Sequence, residues 1–266
     1  MIKFIATDLD GTLLDSEREL PKEIFPLVEE LHRRGVLFAP ASGRQYANLR
    51  RLFAPVADKI LFICENGALI KYREETLFLR PIRDTYVKEA LDAVRSLPHL
   101  RPMLCGVNTA YVEDDVQPFY GYAVASYSSC MKVDSLDSVI GKEAICKIAV
   151  YDEIAAAENC IKVLPPKIPS LRTILSGVDW CDVSSPDADK GTAIRFIRQS
   201  FGFKRAECAA FGDHMNDYEM LYECGHAFVT ENAYPPLKEL IGQVIPSNAE
   251  GGVLKKIREI LKEQTI

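Results

Sequence analysis

The sequence predicts an α/β protein: a doubly wound, mostly parallel (Rossmann-like) core with an α+β segment inserted into it. Towards both ends of the chain, short apolar runs alternate with helical patterns, which is typical of βαβ units whose sheet is covered on both faces. In the middle, apolar runs follow one another without intervening helices, which indicates antiparallel pairing. The chain has 266 residues, of which 48% are apolar. A chain of this length and composition can form one large domain or two domains of ordinary size.

The first part of the chain supplies the leading half of the predicted core. Its apolar strand candidates are residues 2–7, 36–41 and 60–64. A helical pattern that starts after Pro21 and stops at Gly35 joins the first two, with proline and glycine at the positions expected of helix boundaries. Residues 68–79 predict a hairpin that turns at Glu74 and Glu75.

The middle of the chain predicts an inserted α/β domain over residues 82–184, which leaves residues 1–81 and 185–266 as the core domain. Its predicted elements are helices at 84–97 and 154–164 and strands at 103–107, 110–113, 145–151, 171–175 and 180–183. The core pattern then returns with a helix at 191–201, a strand at 208–211, a helix through Met220 and a last helix at 252–262.

Composition and charge argue against nucleic-acid-binding, membrane and secreted proteins. The formal charge of −6 lacks the basic footprint of a nucleic-acid binder, so no nucleic-acid partner is expected. The apolar runs are only of strand length, and Asp8 and Asp10 interrupt the N-terminus, so we expect no membrane partner and no signal peptide. No two of the eight cysteines lie closer than 14 positions, which favours buried, reduced thiols in a cytoplasmic protein. Nothing in the sequence indicates the oligomeric state.

Four predicted core strands end in polar or glycine-containing sequence. The segments that follow them are Asp8-Leu9-Asp10-Gly11-Thr12, Ser42-Gly43-Arg44, Glu65-Asn66-Gly67 and Gly212-Asp213. Ligands of open α/β sheets bind beyond the carboxyl ends of the strands, so these segments should meet at one crevice.

The acidic residues in these segments predict a metal site. Asp8 and Asp10 are separated by one residue and followed by Gly11, which allows a tight turn, although a pair of surface acids gives the same pattern. Asp213 would complete an oxygen-rich set suited to Mg²⁺. Asp217 either joins this set or is a solvated acid at a helix start, where it favours the helix dipole.

Lys190 precedes Gly191 at the start of a predicted helix. An ammonium there opposes the helix dipole, but together with the free backbone donors it suits a bound phosphate. The chain contains neither a GxxxxGK[ST] loop nor a GxGxxG motif, so nucleoside triphosphates and dinucleotides have no local support as ligands.

In their order along the chain, these motifs resemble the haloacid dehalogenase (HAD) superfamily. The matching segments are Asp8-Leu9-Asp10-Gly11-Thr12, Ser42-Gly43-Arg44, Asn66-Gly67-Ala68, Lys190-Gly191, Gly212-Asp213-x-x-Asn216-Asp217, Asn232-Ala233 and Ser247-Asn248. The long insert before Lys190 is similar to the cap of the Cof-type phosphatases, which carry a type IIB cap.

The resemblance implies a role for each matched residue. Asp8 would be the nucleophile that forms an aspartyl-phosphate, and Asp10 the general acid and base. Mg²⁺ would be bound by Asp8, the carbonyl of Asp10 and Asp213. The phosphoryl oxygens would be held by Leu9 (through its amide), Ser42, Gly43, Lys190 and Asn216. Arg44, Asn66 and Asp217 are further candidates for the site.

The resulting hypothesis is a Mg²⁺-dependent phosphatase that hydrolyses small phosphorylated metabolites, such as sugar phosphate-like esters. The alternatives are a phosphomutase or phosphotransferase on the same fold and a non-catalytic phosphate-sensing protein. We expect the insert to select the ester, because the core motifs address only the phosphoryl group and the metal. Asp182 stands where the family usually has glutamate; it either faces the leaving group, pins the cap when it closes, or is solvated.

Overall fold

The computed structural model describes residues 1–264, and its elements alternate between strands and helices along much of the chain. In chain order they are β1 (Phe4–Thr7), α1 (Ile24–Arg33), β2 (Leu37–Pro40), α2 (Tyr46–Leu52), β3 (Leu61–Cys64), β4 (Leu69–Tyr72), β5 (Glu75–Leu79), α3 (Asp84–Arg95), β6 (Leu100–Gly106), β7 (Ala110–Val112), α4 (Phe119–Ser126), β8 (Cys130–Lys132), β9 (Ile145–Asp152), α5 (Cys160–Val163), β10 (Arg172–Leu175), β11 (Trp180–Ser184), α6 (Lys190–Phe201), β12 (Cys208–Gly212), α7 (Tyr218–Glu223), β13 (His226–Thr230), α8 (Pro235–Ile241), β14 (Val244–Ile245) and α9 (Gly252–Glu263).

The chain forms two compact units. The first contains Met1–Ser42, Leu49–Phe78 and the chain from Asp189 onward, and the second contains Gly43–Asn48 and Leu79–Ala188. The sequence predicts an insert at residues 82–184 and leaves residues 43–48 in the core. Gln45 and Asn48 explain why this short segment groups with the second unit. Their amides exchange paired hydrogen bonds with the backbone of Ser126, Ser128 and Ser129, at 2.6 to 3.2 Å.

The first unit is built on a parallel sheet with strand order β14-β13-β12-β1-β2. A single bridge between Ala41 and Ile63 leads on to β3, which pairs antiparallel with β4 and continues to β5. Phe4 and Ile5 point to opposite faces of β1, and both are fully buried, so the sheet is covered on both sides. The predicted doubly wound α/β class is confirmed.

The second unit is a six-stranded sheet with order β10-β11-β9-β6-β7-β8. All its pairings are antiparallel except that of β7 with β8. Strand β11 alternates as its sequence predicts: Cys181 and Val183 pack in one apolar cluster, while Trp180 packs with Phe119 and Tyr151 in another. Each face of this sheet therefore buries its own core.

Two local predictions are wrong. The helix expected at residues 154–164 is reduced to Cys160–Val163, because the buried Asp152 carboxylate accepts hydrogen bonds from the amides of Ile154 and Cys160 and holds the chain between them as a loop. The β4–β5 hairpin turns at Arg73 and Glu74, both with positive φ, one residue earlier than expected.

The expectation for the cysteines agrees with the structure. All eight cysteines are free, and seven of them are buried. None of the helices within residues 1–264 combines the length and apolar character needed to cross a lipid bilayer.

Candidate active site

The centre of the candidate site lies in the first unit, where β1 ends. The amide of Asp8 donates to the Phe211 carbonyl at 2.9 Å, which carries the pairing of β1 with β12 one residue further. The Asp8 side chain is therefore fixed at the carboxyl end of the sheet, and it is almost fully buried. The chain then turns through Leu9–Leu13, where Gly11 has φ +85°, and this turn leaves Asp10 exposed to solvent.

Lys190 is the first residue of α6, and its side chain is only 1% exposed. The helix start is fixed by Asp189, whose carboxylate accepts from the Thr192 amide at 2.7 Å. The Lys190 Nζ donates to Asp8 Oδ1 at 2.5 Å and to Asp217 Oδ1 at 2.6 Å. A buried ammonium is thus shared by two carboxylates that lie far from it in the sequence.

Asp217 is completely buried, so the alternative of a solvated acid at a helix start is wrong. Its second oxygen accepts the amides of Asp213 and His214 at 3.0 and 3.2 Å. One carboxylate therefore holds both the Lys190 ammonium and the loop that carries Asp213. With both oxygens engaged in this way, Asp217 acts as a support for its neighbours.

Asp213 completes an acidic cluster. One of its oxygens accepts from the Thr12 hydroxyl at 2.9 Å, and ligand atoms of Asp8, Asp213 and Asp217 all lie within 4.8 Å of one another. Burial raises the pKa of Asp213 to about 6, and the nearby Asp217 carboxylate adds to the rise. The cluster therefore holds more negative charge than its buried surroundings favour.

The pKa values of Asp8 and Lys190 show the same excess of negative charge. Burial raises the pKa of Asp8 well above its ordinary value; Lys190 opposes this rise, whereas Asp217 and Asp213 increase it. Burial alone would lower the pKa of Lys190, but Asp217 and Asp8 outweigh that effect and raise it, so the ammonium stays charged. Three carboxylates face this one ammonium.

These residues fit a divalent cation. Mg²⁺ prefers carboxylate and carbonyl oxygens, and bound cations reverse the effect of crowded carboxylates on one another's pKa. The loop approaches Asp213 so closely that a Cβ on Gly11 would lie 2.3 Å from Asp213 Oδ2. Glycine is the residue type that permits both this approach and the positive φ.

The predicted phosphate-binding residues are divided between the two units. Ser42 is buried in the first unit, where its amide donates to Ile63 and its carbonyl accepts from Asn66, both at 3.0 Å. Gly43 and Arg44 belong to the second unit. Asn216 lies half-buried in the turn that leads to Asp217, and Leu9 is buried directly after Asp8.

The turn after β3 is closely fitted to the start of α6. Glu65, Asn66 and Gly67 all have positive φ. A Cβ on Gly67 would lie 2.2 Å from the Asp189 carbonyl oxygen. Gly67 is therefore needed for the backbone to pass Asp189, the residue before Lys190.

Several supporting residues were not singled out by sequence reasoning. Thr12 was quoted only as part of a motif, yet it binds Asp213. Asn232 donates to the Gly11 carbonyl at 2.8 Å, and Asn248 donates to the Leu14 carbonyl at 2.9 Å, so both hold the turn that follows Asp8. The backbone amide of Asn248 in turn donates to the side-chain oxygen of Asn232 at 3.0 Å. The resemblance included these two asparagines, but only their contacts show what they do.

Asp182 lies in the second unit and is not solvated. It is 4% exposed and accepts from Lys147 Nζ at 2.9 Å and from the Ser176 hydroxyl at 3.1 Å. The solvated alternative is therefore wrong. Lys147, its partner, was not identified from the sequence.

Comparison with known proteins identifies the family. The family profile described as haloacid dehalogenase-like hydrolase matches residues 5–257. The chain belongs to this family. It is 27% identical over 268 residues to the 5-amino-6-(5-phospho-D-ribitylamino)uracil phosphatase YbjI of Escherichia coli, covering 99% of this chain and 97% of that protein. It is 28% identical over 244 residues to the HMP-PP phosphatase of Cronobacter sakazakii, covering 89% and 87%.

Solved structures show the same fold. A Eubacterium rectale protein superposes with a TM-score of 0.89 at 27% identity, covering 97% of this chain and 99% of that one. A Thermotoga maritima protein at 24% identity has a TM-score of 0.86 and covers 97% of each chain. The family and the named relatives show that this haloacid dehalogenase-like hydrolase is a phosphoric monoester hydrolase.

Proposed function

We propose that this enzyme is a Mg²⁺-dependent phosphatase that hydrolyses small phosphorylated metabolites through an aspartyl-phosphate on Asp8. The observation that carries the proposal is the buried cluster of Asp8, Lys190, Asp217 and Asp213 where β1 ends. A nucleophilic carboxylate must be ionised when the substrate arrives. The bond from Lys190 opposes the effect of burial and so favours the ionised form of Asp8.

The first step transfers the phosphoryl group to Asp8. A carboxylate oxygen of Asp8 attacks phosphorus, the bond from phosphorus to the ester oxygen breaks, and Asp10 gives its proton to the departing alkoxide. In the second step Asp10, now ionised, takes a proton from water, whose oxygen attacks phosphorus and releases phosphate and Asp8. Solvent exposure suits Asp10 to this role, because it can exchange protons and reach water.

Asp8, the carbonyl of Asp10 and Asp213 would hold Mg²⁺. When bound, the cation neutralises charge between these carboxylates and the phosphate dianion. Asp217 positions its neighbours in this proposal, since its oxygens are bonded to Lys190 and to two backbone amides.

The phosphoryl oxygens would be bound by the Leu9 amide, Ser42, Gly43, Lys190 and Asn216. Arg44 and Asn66 are further candidates for this role. Two hydrogen bonds fix the backbone of Ser42, which supports its assignment, since a residue that is already held in place loses little entropy on binding.

The names of the relatives support the proposed substrate class. The name of the Escherichia coli relative describes a phosphate ester of a small ribitylamino-uracil, and the Cronobacter sakazakii relative is named as a phosphatase of HMP-PP. Both names support small phosphorylated metabolites as substrates here. We further propose that residues 82–184 form the cap domain that selects the leaving group, and that the enzyme works in the cytoplasm, where its eight free thiols would stay reduced.

The test uses 4-nitrophenyl phosphate, whose leaving group needs no proton. Asp8→Asn should abolish phosphate release, because an amide does not attack phosphorus. Asp10→Asn should still form phosphoenzyme and release one equivalent of 4-nitrophenolate, followed by slow turnover. Chelation of Mg²⁺ should stop the wild-type reaction. Substantial turnover by Asp8→Asn would overturn the covalent mechanism, and transfer of phosphate to an added alcohol instead of water would indicate a phosphotransferase.

A further inference from the structure

We propose that Lys147 is a positioning residue for phosphate binding, which it supports by fixing the peptide that follows Gly43. This inference rests on the proposed function. Lys147 Nζ donates to the Gly43 carbonyl at 2.8 Å and to Asp182 Oδ2 at 2.9 Å. These contacts lie within the second unit, which includes Gly43–Asn48.

Lys147 is an unusual residue for its position. It lies in β9, where all eight residues are buried, and it is only 5% exposed. A lysine is almost never fully buried unless it is paired. Asp182 on the adjacent strand β11 supplies the counter-charge, and the Tyr127 ring lies 5.9 Å from the ammonium. Asp182 compensates the charge of the ammonium, and we assign Lys147 a geometric contribution to phosphate binding.

That geometry acts on two consecutive peptides. The Ser42 carbonyl is held by the Asn66 amide at 3.0 Å, and the Gly43 carbonyl is held by Lys147. In a trans peptide the C=O and N–H groups point in opposite directions, so these bonds fix the directions of the Gly43 and Arg44 N–H groups. Consecutive oriented N–H groups are a recurrent way of binding anions. Asn66 orients the first of them and Lys147 orients the second.

Asp182 holds the Lys147 ammonium in position. Its second oxygen accepts from the Ser176 hydroxyl at 3.1 Å, so the carboxylate is held from two sides and the ammonium stays directed at Gly43. In this proposal Asp182 acts through Lys147 and not by facing the leaving group. A residue that acts through the phosphate-binding backbone should affect every phosphate ester to a similar degree, because the phosphoryl group is common to all of them.

The experiment measures inhibition by inorganic phosphate of 4-nitrophenyl phosphate hydrolysis, at a temperature where every variant is folded. Lys147→Met should raise the inhibition constant of phosphate and the KM roughly tenfold, the effect of one lost well-placed hydrogen bond. The Mg²⁺ concentration for half-maximal activity should stay unchanged. Lys147→Arg, which keeps a donor and a charge, should restore part of the affinity.

Two further variants separate positioning from stability. The double variant Lys147→Met/Asp182→Leu replaces both charges with apolar groups, which often leaves stability intact, yet it should bind phosphate as weakly as Lys147→Met. Lys132→Met is the matched control, since this lysine lies in β8 of the same sheet with an exposed partner, Asp115, and should leave the inhibition constant unchanged.

An unchanged inhibition constant in the folded double variant would overturn the positioning role. So would a loss of affinity of the same size in Lys132→Met. Failure of the proposed function has a different signature: the wild-type protein would show no Mg²⁺-dependent release of phosphate from any ester.

Discussion

Replacing Lys190 with methionine should destabilise the first unit strongly, and the loss should depend on pH. The substitution keeps the length of the side chain but removes the ammonium that donates to Asp8 and Asp217. Both carboxylates would remain buried beside Asp213, without the only cation recorded in contact with them among residues 1–264. Removing one partner of a buried ion pair costs about 3–5 kcal/mol. A chain of this size should then melt roughly 6–20 °C lower at pH 8.

The sign of the pH effect follows from the carboxylates. The pKa of Asp8 is already raised in the folded protein and would rise further without Lys190. A carboxyl group whose pKa is raised on folding destabilises the protein as pH rises above its unfolded value of about 4. The deficit of Lys190→Met should therefore shrink from pH 8 to pH 5. The ordinary lysine pKa of about 10.4 lies well above this range, so titration of the lysine itself adds nothing within it.

Calorimetric melting of the metal-free proteins at pH 5 and pH 8 measures this effect. Adding Asp217→Asn to Lys190→Met removes one of the stranded charges and should recover part of the loss at pH 8. Lys3→Met, which removes an exposed pair with Glu207, should melt close to the parent protein. A deficit in Lys190→Met of the same size at both pH values would refute the reasoning, because it would show that the loss reflects packing alone.

Three further predictions concern the same unit. Gly11→Ala places a Cβ 2.3 Å from Asp213 Oδ2 at φ +85°, so a Mg²⁺ titration of activity should show at least a roughly tenfold higher half-saturating concentration. Gly67→Ala meets the Asp189 carbonyl at 2.2 Å and should lower the melting temperature more than Gly35→Ala, whose Cβ contacts nothing within 4 Å. Because burial raises the pKa of Asp213 to about 6 and that of Asp8 well above its ordinary value, the half-saturating Mg²⁺ concentration should rise at least about tenfold per pH unit below pH 6, as protons compete with the metal.

Much of the first unit could be predicted because its signals are local. Strands β1, β2, β3 and β12 are apolar runs that give way to polar or glycine-containing sequence, and parallel strands bring such ends to one edge of the sheet. This rule was enough to predict that Asp8 and Asp213 lie together. Their burial and the sharing of Lys190 depend on the packing of distant segments, which no local pattern reports.

The second unit was less predictable. The helical pattern at residues 154–164 gave way to the loop held by Asp152, whose partners depend on how the strand is placed. Helix α4 was not predicted, and it shows no strong separation of apolar and polar faces. Lys147 interrupts an apolar strand, and its partners Gly43 and Asp182 lie 104 and 35 positions away, so its role is visible only in three dimensions.

The order of segments in the first unit has a consequence for synthesis on the ribosome. Strand β1 lies between β2 and β12, so the centre of the parallel sheet cannot be completed until residue 212 has emerged. Asp8 is translated 182 positions before Lys190, the residue that is bonded to it. Residues 79–188, which belong to the second unit, emerge between these two events. The nascent chain therefore carries Asp8 long before the ammonium that bonds to it is available, and the candidate site can form only after Lys190, Asp213 and Asp217 have emerged.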